Sequence, residues 1–246
     1  VLCPSLPVTA HAYLPLLLQG KWFTALGPSL QKPLLDAAVM RRLQDGERLF
    51  SRGDPPCGLY AVLDGSMQFM AVGGTADNAR EGIAASIPEA HWFGELSLLD
   101  GLPRSHDVEA CGRALLLHVP QTAMAKLTAH YPEYWCALAR LQSYRLRTMA
   151  MLWEEAGFLS APERLPRRLL LIAAHYHGRH DAIPPLRIVN VSQQQLSQML
   201  SISRQTVNLL LKDLERQGLI ALRRSAIEIL DFAGLQAAAT RAIDYA

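Results

Sequence analysis

Residues 191–220, VSQQQLSQMLSISRQTVNLLLKDLERQGLI, decide how this chain is read. Ser192 and Gln195 have capping-box spacing, in which each side chain satisfies the other residue's backbone N–H. A helix is therefore predicted to open at Ser192, with Leu196, Met199 and Leu200 on its buried side. Ser197 is small enough to let a second helix approach. Ser201-Ile202 makes the turn. Ser203 caps the second helix, whose core stripe is Val207, Leu210, Leu211 and Leu214, and Gly218 ends it at a C′ position. Two short helices joined by a tight turn make a helix-turn-helix unit.

The polar residues of this unit suit DNA. Arg204, Gln205 and Asn208 are expected to project from the core, with 204 and 208 one turn apart on a shared face. Arginine grips guanine O6/N7 and Asn or Gln grips adenine N6/N7, each pairing contributing ~1–3 kcal/mol of discrimination. Lys212 and the hydroxyls of Ser203 and Thr206 suit phosphates, and Ser192 and Gln193 join them at the start of the first helix. Leu219-Ile220 leads into a strand. Arg223-Arg224-Ser225-Ala226 reads as the tip of a β-wing, with Ile227 and Ile229 turning back inward. The plainer reading is a helical hairpin with solvated polar residues. It leaves the agreement of caps, turn, core stripe and wing unexplained.

The totals set limits. Half of the 246 residues are hydrophobic and 19% are charged, enough apolar material for real cores and too little charge for a disordered chain. The net charge of +2 makes any nucleic-acid surface local, and the charge is uneven. From Ser160 onward there are 11 Lys and Arg against 7 Asp and Glu, and before it 13 against 15. Cys3, Cys57, Cys111 and Cys136 are scattered, which argues against a disulfide framework or zinc site and fits a reducing compartment. The early apolar run from Leu14 to Leu18 is interrupted by Pro15 and is far short of the ~20 residues that span a bilayer. A cytoplasmic protein with no membrane partner is expected.

Residues 1–40 read as mainly helical, with Leu14, Leu17, Leu18, Leu26 and Leu30 as candidate core positions. From Glu47 to about Pro120, short apolar runs alternate with turn signals at Arg52-Gly53-Asp54, Leu63-Asp64-Gly65, Val72-Gly73-Gly74 and Leu99-Asp100-Gly101. The runs 59–62 and 115–119 suit strands, so a β-barrel or sandwich is expected. From Pro132 to Leu159, Leu138, Leu141, Met149, Leu152, Ala156 and Leu159 recur at three- to four-residue steps, interrupted by Arg145. This stripe of about four heptads is either a core-facing face or the seam of a two-stranded coiled coil. Ser160 and Glu163 form a further capping box, and the domain hinge is placed there.

A second motif lies at residues 93–105, FGELSLLDGLPRS. Backbone amides near Gly94 and Leu96, the Arg104 guanidinium and the Ser105 hydroxyl make a phosphate nest, and Glu95 suits a sugar hydroxyl. This combination matches a cyclic nucleotide better than a free anion. A surface turn with a salt bridge is the alternative.

Together these motifs resemble the bacterial superfamily of the cyclic-AMP receptor protein and the fumarate–nitrate regulator, over nearly the whole chain. Residues 93–105 are similar to that family's phosphate-binding cassette and residues 203–207 to its recognition-helix signature. The resemblance implies an α+β fold with an N-terminal cyclic-nucleotide-binding β-roll (a jelly roll) at 1–131, a long dimerisation helix and hinge at 132–159, and a winged helix-turn-helix at 160–246. It implies a homodimeric transcription regulator on a near-palindromic double-stranded operator, with half-sites ~34–36 Å apart, and RNA polymerase as a further partner. The expected effector is cyclic AMP, cyclic GMP or a cyclic dinucleotide.

Several positions depart from the family pattern. Where cyclic-AMP-binding relatives carry an adenine-reading Thr-Ser pair, this chain has Met149-Ala150, with Thr148 adjacent. His106 and Asp107 follow the Arg-Ser pair, and Asp107 near a phosphate is repulsive unless it points away or pairs with a cation. In the recognition helix, Gln205 stands in place of Glu and Leu209 in place of a base-contacting Arg, so a different operator is expected. For a cyclic dinucleotide, Arg80, Arg145 and Arg147 are candidate extra contacts. The clustered N-terminal cysteines of iron–sulfur relatives are absent, and nothing selects His91 or His118 for haem. A regulator with another effector or none in its β-roll, and the regulatory subunit of an enzyme, are the alternative functions.

Weaker signals take plain readings. The stretch His175-Tyr176-His177-Gly178-Arg179-His180 lacks the i, i+4 spacing of helical metal ligands and reads as a polar loop. Trp135 and Trp153 read as packing residues and Asp54 as a turn residue. No catalytic site and no metal site are expected.

Overall fold

A computed structural model describes residues 9–73, 80–174, 185–224 and 226–240. They fall into two compact units. The first comprises residues 9–72 and 85–144, and the second residues 73, 80–84, 145–174, 185–224 and 226–240.

The first unit opens with three short helices, α1 (Leu14–Leu17), α2 (Lys21–Thr24) and α3 (Pro28–Asp36). Leu17, Trp22, Phe23, Leu26, Leu34 and Leu35 are buried from them, while Leu18 is exposed, contrary to its expected core role, because it caps the last turn of α1. The strands are β1 (Val39–Leu43), β2 (Arg48–Phe50), β3 (Gly58–Gly73), β4 (Arg80–Ile87), β5 (Trp92–Phe93) and β6 (Asp107–Pro120). They form a sheet ordered β1-β6-β3-β4, with β2 on β6 and β5 on β3, and β6 runs antiparallel to β1, β2 and β3 as β5 does to β3. The runs read as strands, 59–62 and 115–119, face each other across the β3–β6 pairing, and Leu59, Ala61, Val62, Leu116, Leu117 and Val119 are fully buried.

Two sequence expectations need correction here. The sheet begins at Val39, eight residues before Glu47, because residues 39–43 pair with 114–118 despite the arginines at 41 and 42. Asp64-Gly65 is not a turn between strands. It is a bulge inside the continuous β3, where the pairing register shifts twice. Gly65 has φ +77°, and a Cβ there would stand 2.3 Å from the Arg113 carbonyl oxygen, so glycine lets the strand kink and continue. Gly53 and Gly101 do occupy turn positions with positive φ, and the last residue of the 72–74 signal lies outside the described residues.

Helix α4 (Leu96–Asp100) lies between β5 and β6, and α5 (Gln121–His130) follows β6. The long helix α6 (Glu133–Phe158) begins in the first unit, where Tyr134, Ala137, Leu138 and Leu141 join the core with Leu34, Leu117 and Met124. From residue 145 its character changes. Leu146, Met149, Trp153 and Phe158 are 64%, 59%, 82% and 87% exposed. Trp153 thus lies outside the core, and Trp135 is 44% exposed, so the core reading of the stripe holds only for its first turns.

In the second unit, α7 (Ala161–Ala173) starts at the Ser160–Glu163 capping box, as expected from sequence. Then follow β7 (Ile188–Val189), α8 (Gln193–Leu200), α9 (Arg204–Arg216), β8 (Ile220–Arg223), β9 (Ala226–Ile229) and α10 (Phe232–Thr240). The three strands form an antiparallel sheet ordered β7-β9-β8. Leu165, Leu169, Leu196, Val207, Leu211, Ile229 and Leu235 make its core. Glu155, only 7% exposed, pairs with Arg167 at 3.5 Å, and Arg167 Nε donates to the Ala239 carbonyl at 2.9 Å, which ties the end of α6 to α7 and α10. No helix among the described residues is long and apolar enough to cross a membrane.

Candidate nucleic-acid interface and effector site

The helix-turn-helix forms where its caps place it. Ser192 Oγ accepts from Gln195 N–H at 3.1 Å, and Gln195 Oε1 accepts from Ser192 N–H at 2.8 Å. Ser201 takes the left-handed conformation (φ 55°) that turns the chain. Ser203 Oγ accepts from Thr206 N–H at 3.0 Å and lies 2.8 Å from Thr206 Oγ1. Ser197 is buried between the helices, and its carbonyl accepts from Ile202 N–H at 3.1 Å. Gly218 follows α9 with φ +73°.

The outward face of α9 differs in detail from the sequence reading. Val207, Leu211 and Leu214 are buried, so the ridge opposite them consists of Gln205, Leu209, Lys212 and Arg216, at i, i+4, i+7 and i+11. All four are exposed. Arg204 is exposed on one flank. Asn208 does not share its freedom: it is half-buried and donates through Nδ2 to Gln193 Oε1 of α8 at 3.2 Å. The structure therefore joins Asn208 to Gln193 at the shoulder of the unit. Leu209 and Arg216, absent from the expected contact set, lie on the ridge. Counting 100° per residue from the core stripe identifies them from sequence alone.

The wing is a β8–β9 hairpin with Arg223 paired to Ala226, and Ser225 lies outside the described residues. Arg223 is held by Glu228, whose Oε2 lies 2.7 Å from Nη2 and 3.1 Å from Nε. Arg224 is exposed at the tip. Glu215 Oε1 accepts from Leu222 N–H at 2.9 Å, fixing the wing to α9.

In the first unit, Gly94, Glu95, Leu96, Arg104 and Ser105 gather around the start of α4 and the loop before β6. Gly94 has φ +96°, and a Cβ there would lie 2.9 Å from the Gly58 carbonyl oxygen and 3.1 Å from Arg104 Nη1, so the position requires glycine. Glu95 is fully buried, and its carbonyl accepts from the N–H groups of Leu98 and Leu99 at 3.0 Å. Leu96 is 37% exposed. Ser105 is exposed, with Oγ 2.9 Å from His106 Nδ1.

Arg104 is 4% exposed and turned into the protein. Nη1 donates to the Gly94 carbonyl at 2.8 Å, and Nη2 to the Gly58 carbonyl at 2.7 Å and to Cys57 Sγ at 3.0 Å. The guanidinium lies 4.4 Å over the Phe50 ring. Only Nε is buried without an acceptor among the described residues. Tyr60 completes the wall. Its hydroxyl donates to Cys57 Sγ at 3.2 Å, and its ring stacks on Phe93 and on His118. Burial, and secondarily the Cys57 contact, push the Tyr60 phenol well above its usual range. Burial also lowers the His118 pKa, although the hydrogen bond from its Nε2 to the Cys57 carbonyl opposes the shift. His106 is lowered by burial and then by the charge of Arg52.

Asp107 is resolved as the sequence required. Its Oδ1 accepts from Arg52 N–H at 2.6 Å and its Oδ2 lies 3.4 Å from Arg48 Nη1, so its charge is compensated. Asp54 is the expected turn residue, accepting from Ser51 N–H at 2.7 Å. Thr148 and Met149 lie on α6 in the second unit, Thr148 half-buried and Met149 exposed. Arg145 is half-buried and Arg147 exposed, while the Arg80 side chain, Cys3 and the 175–180 stretch lie outside what is described. Cys57, Cys111 and Cys136 form no disulfide among the described residues.

Residues 40–131 match the cyclic nucleotide-binding domain family, and residues 163–238 match the Crp-like helix-turn-helix domain family. Among curated proteins, the CRP-like cAMP-activated global transcriptional regulator of Mycobacterium tuberculosis is 27% identical over 206 residues, covering 81% of this chain and 90% of that protein. The transcriptional activator protein Anr of Pseudomonas aeruginosa is 24% identical over 191 residues, covering 78% and 76%. Among solved structures, FixK2 of Bradyrhizobium japonicum shares the fold with a TM-score of 0.70 at 18% identity, covering 81% of this chain and 96% of that one. The c-di-GMP responsive regulator CLP of Xanthomonas campestris shares it with a TM-score of 0.63 at 21% identity, covering 82% and 99%.

Proposed function

Because this chain belongs to the CRP/FNR superfamily of transcription regulators, we propose that it works as a homodimer whose α9 helices read a near-palindromic operator under control of a cyclic nucleotide in the β-roll. The observation that carries this is the exposed polar ridge of α9, backed by a core stripe and flanked by a wing, in one chain with a cyclic nucleotide-binding domain. Residues 1–131 are assigned to sensing, 132–159 to dimerisation and hinge, and 160–246 to DNA.

Leu146, Met149, Trp153 and Ala156 follow a/d spacing along the exposed part of α6, and this is the edge assigned to the partner helix. Arg204 and Gln205 read bases. Ser203, Thr206 and Lys212, with Ser192, Gln193 and Arg224, position the phosphates, and Asn208 and Arg223 support that set through Gln193 and Glu228. The family relationship points to RNA polymerase as a further partner. Its relatives are transcription regulators rather than enzymes.

The cyclic nucleotide fits the cradle in two respects. Gly94 lets the backbone pass close to Gly58 and Arg104 at the start of α4, and Arg104 Nε lacks an acceptor among the described residues. Arg104 and Ser105 would hold the phosphate, Gly94 and Leu96 would supply amides, and Glu95 would accept from the sugar, while Thr148 and Met149 are assigned to the base by the family resemblance alone. A second reading is favoured by one specific observation. Both terminal nitrogens of Arg104 are already engaged by backbone carbonyls, as expected of a β-roll that senses something else or nothing. Effector control requires a ligand with unequal affinity for two arrangements of the protein. Operator affinity measured by fluorescence anisotropy with cyclic AMP, cyclic GMP and cyclic di-GMP separates the readings. A change with one nucleotide supports effector control, and identical affinity with all three supports the second reading.

A further inference from the structure

Leu209 is 68% exposed at the centre of the α9 ridge, between Gln205 and Lys212. The core stripe of α9 is complete without it, since Val207, Leu211 and Leu214 fill that role. An isolated exposed leucine on a polar ridge offers no hydrogen bond to a phosphate or to the donors and acceptors of a base edge. On the floor of the major groove the apolar group available to it is the thymine C5-methyl.

We propose that Leu209 is a specificity-determining residue that packs on a thymine methyl, so that each operator half-site carries a thymine there. This rests on the proposal that α9 reads DNA. Leu209 lies one turn beyond Gln205, about 6 Å along the helix axis. That distance corresponds to roughly two base-pair steps of 3.4 Å. The thymine therefore falls within two base pairs of the one contacted by Gln205. An apolar contact cannot distinguish the strands through hydrogen bonding. Discrimination comes from the methyl group alone, which is absent from cytosine and from deoxyuridine.

The test begins with selection of binding sequences from a random duplex library by the full-length protein, run without nucleotide and with cyclic AMP, cyclic GMP or cyclic di-GMP. Each thymine of the selected half-site is then replaced by deoxyuridine, which removes only the methyl. The wild-type protein should bind about four-fold more weakly at one such position per half-site, the worth of one buried methyl-sized group. Leu209→Ala should bind the thymine and deoxyuridine duplexes equally, and Leu209→Gln should shift selection toward adenine at the same position. Both replacements lie on an exposed position, so circular dichroism should match the wild type. The inference is overturned if no thymine is selected within two base pairs of the Gln205 contact, if the wild type ignores every deoxyuridine, or if Leu209→Ala keeps the full methyl sensitivity. If no sequence is enriched under any condition, the DNA-reading proposal itself fails, and this inference with it. Enrichment of a motif indifferent to methyl removal rejects only the role of Leu209.

Discussion

Arg104→Ala should destabilise the first unit even without ligand. In the folded protein the guanidinium donates to two backbone carbonyl oxygens, at 2.8 Å and 2.7 Å, and lies 4.4 Å over Phe50. Each bond from a charged group contributes ~1.5–3 kcal/mol, and the cation–π contact ~0.5–2 kcal/mol. The cost of dehydrating the charge offsets part of this sum, while truncation leaves two carbonyl acceptors without their partner at ~1–3 kcal/mol each, a loss of ~4 kcal/mol. With a urea slope of ~2 kcal/mol per molar, the unfolding midpoint should fall by ~1.5–2.5 M. Trp22 and Trp92, buried with ring centroids 5.3 Å apart, report this unit by fluorescence. Arg104→Lys keeps the charge but cannot bridge both carbonyls as a fork, so its midpoint should lie between the two. A midpoint for Arg104→Ala within ~0.3 M of the wild type would refute the structural role. This has a practical consequence, since loss of effector response in Arg104→Ala would not distinguish lost phosphate binding from a loosened β-roll. Ser105→Ala, at an exposed hydroxyl, makes that distinction.

Three other outcomes are expected. Trp153→Ala removes the largest side chain from the proposed seam and should weaken dimerisation by ~2–4 kcal/mol, a loss of 30-fold or more in association; sedimentation velocity across a dilution series checks this, and an unchanged dimer constant contradicts the seam. His118 has a folded pKa below its ordinary 6.5, so the unfolded chain binds the proton more tightly, and the stability of the neutral ring is complete above pH 6.5 and lost as pH falls through the folded value. The urea midpoint should therefore drop between pH 7.5 and 5.5, and less in His118→Gln, where the similarly shifted His106 remains; equal drops contradict the assignment. Ser203→Ala removes the α9 cap at a cost of ~1 kcal/mol, so amide exchange at residues 205–207 should quicken about five-fold; unchanged exchange would show that the cap contributes nothing.

What could be read from the sequence depended on how local its cause is. The caps at Ser160, Ser192 and Ser203 and the left-handed Gly218 are set by neighbours within four residues, and they formed where the sequence placed them. Asp64-Gly65 misled because a bulge and a turn ask for the same residues, and only pairing with β6, some fifty residues away, decides between them. Strand β1 was missed because Arg41 and Arg42 break the apolar alternation that marks a strand, while its hydrogen bonds go to residues 114–118. The orientation of Arg104 is equally non-local, since its acceptors Gly58 and Cys57 come from the start of β3 and the loop before it. Asn208 differs for a simpler reason. The outward face lies opposite the core stripe, at Gln205, Leu209, Lys212 and Arg216, while the face shared by Arg204 and Asn208 is its flank.

The central claim is that the α9 ridge reads base pairs, and the most direct measurement is the affinity of the purified protein for a selected operator and for its scrambled duplex across a salt series. The account predicts that affinity for both falls as salt rises, through displaced counterions, while the selected sequence stays at least ~1000-fold tighter. Equal affinity for the two duplexes at every salt concentration, with every cyclic nucleotide supplied in turn, would contradict it.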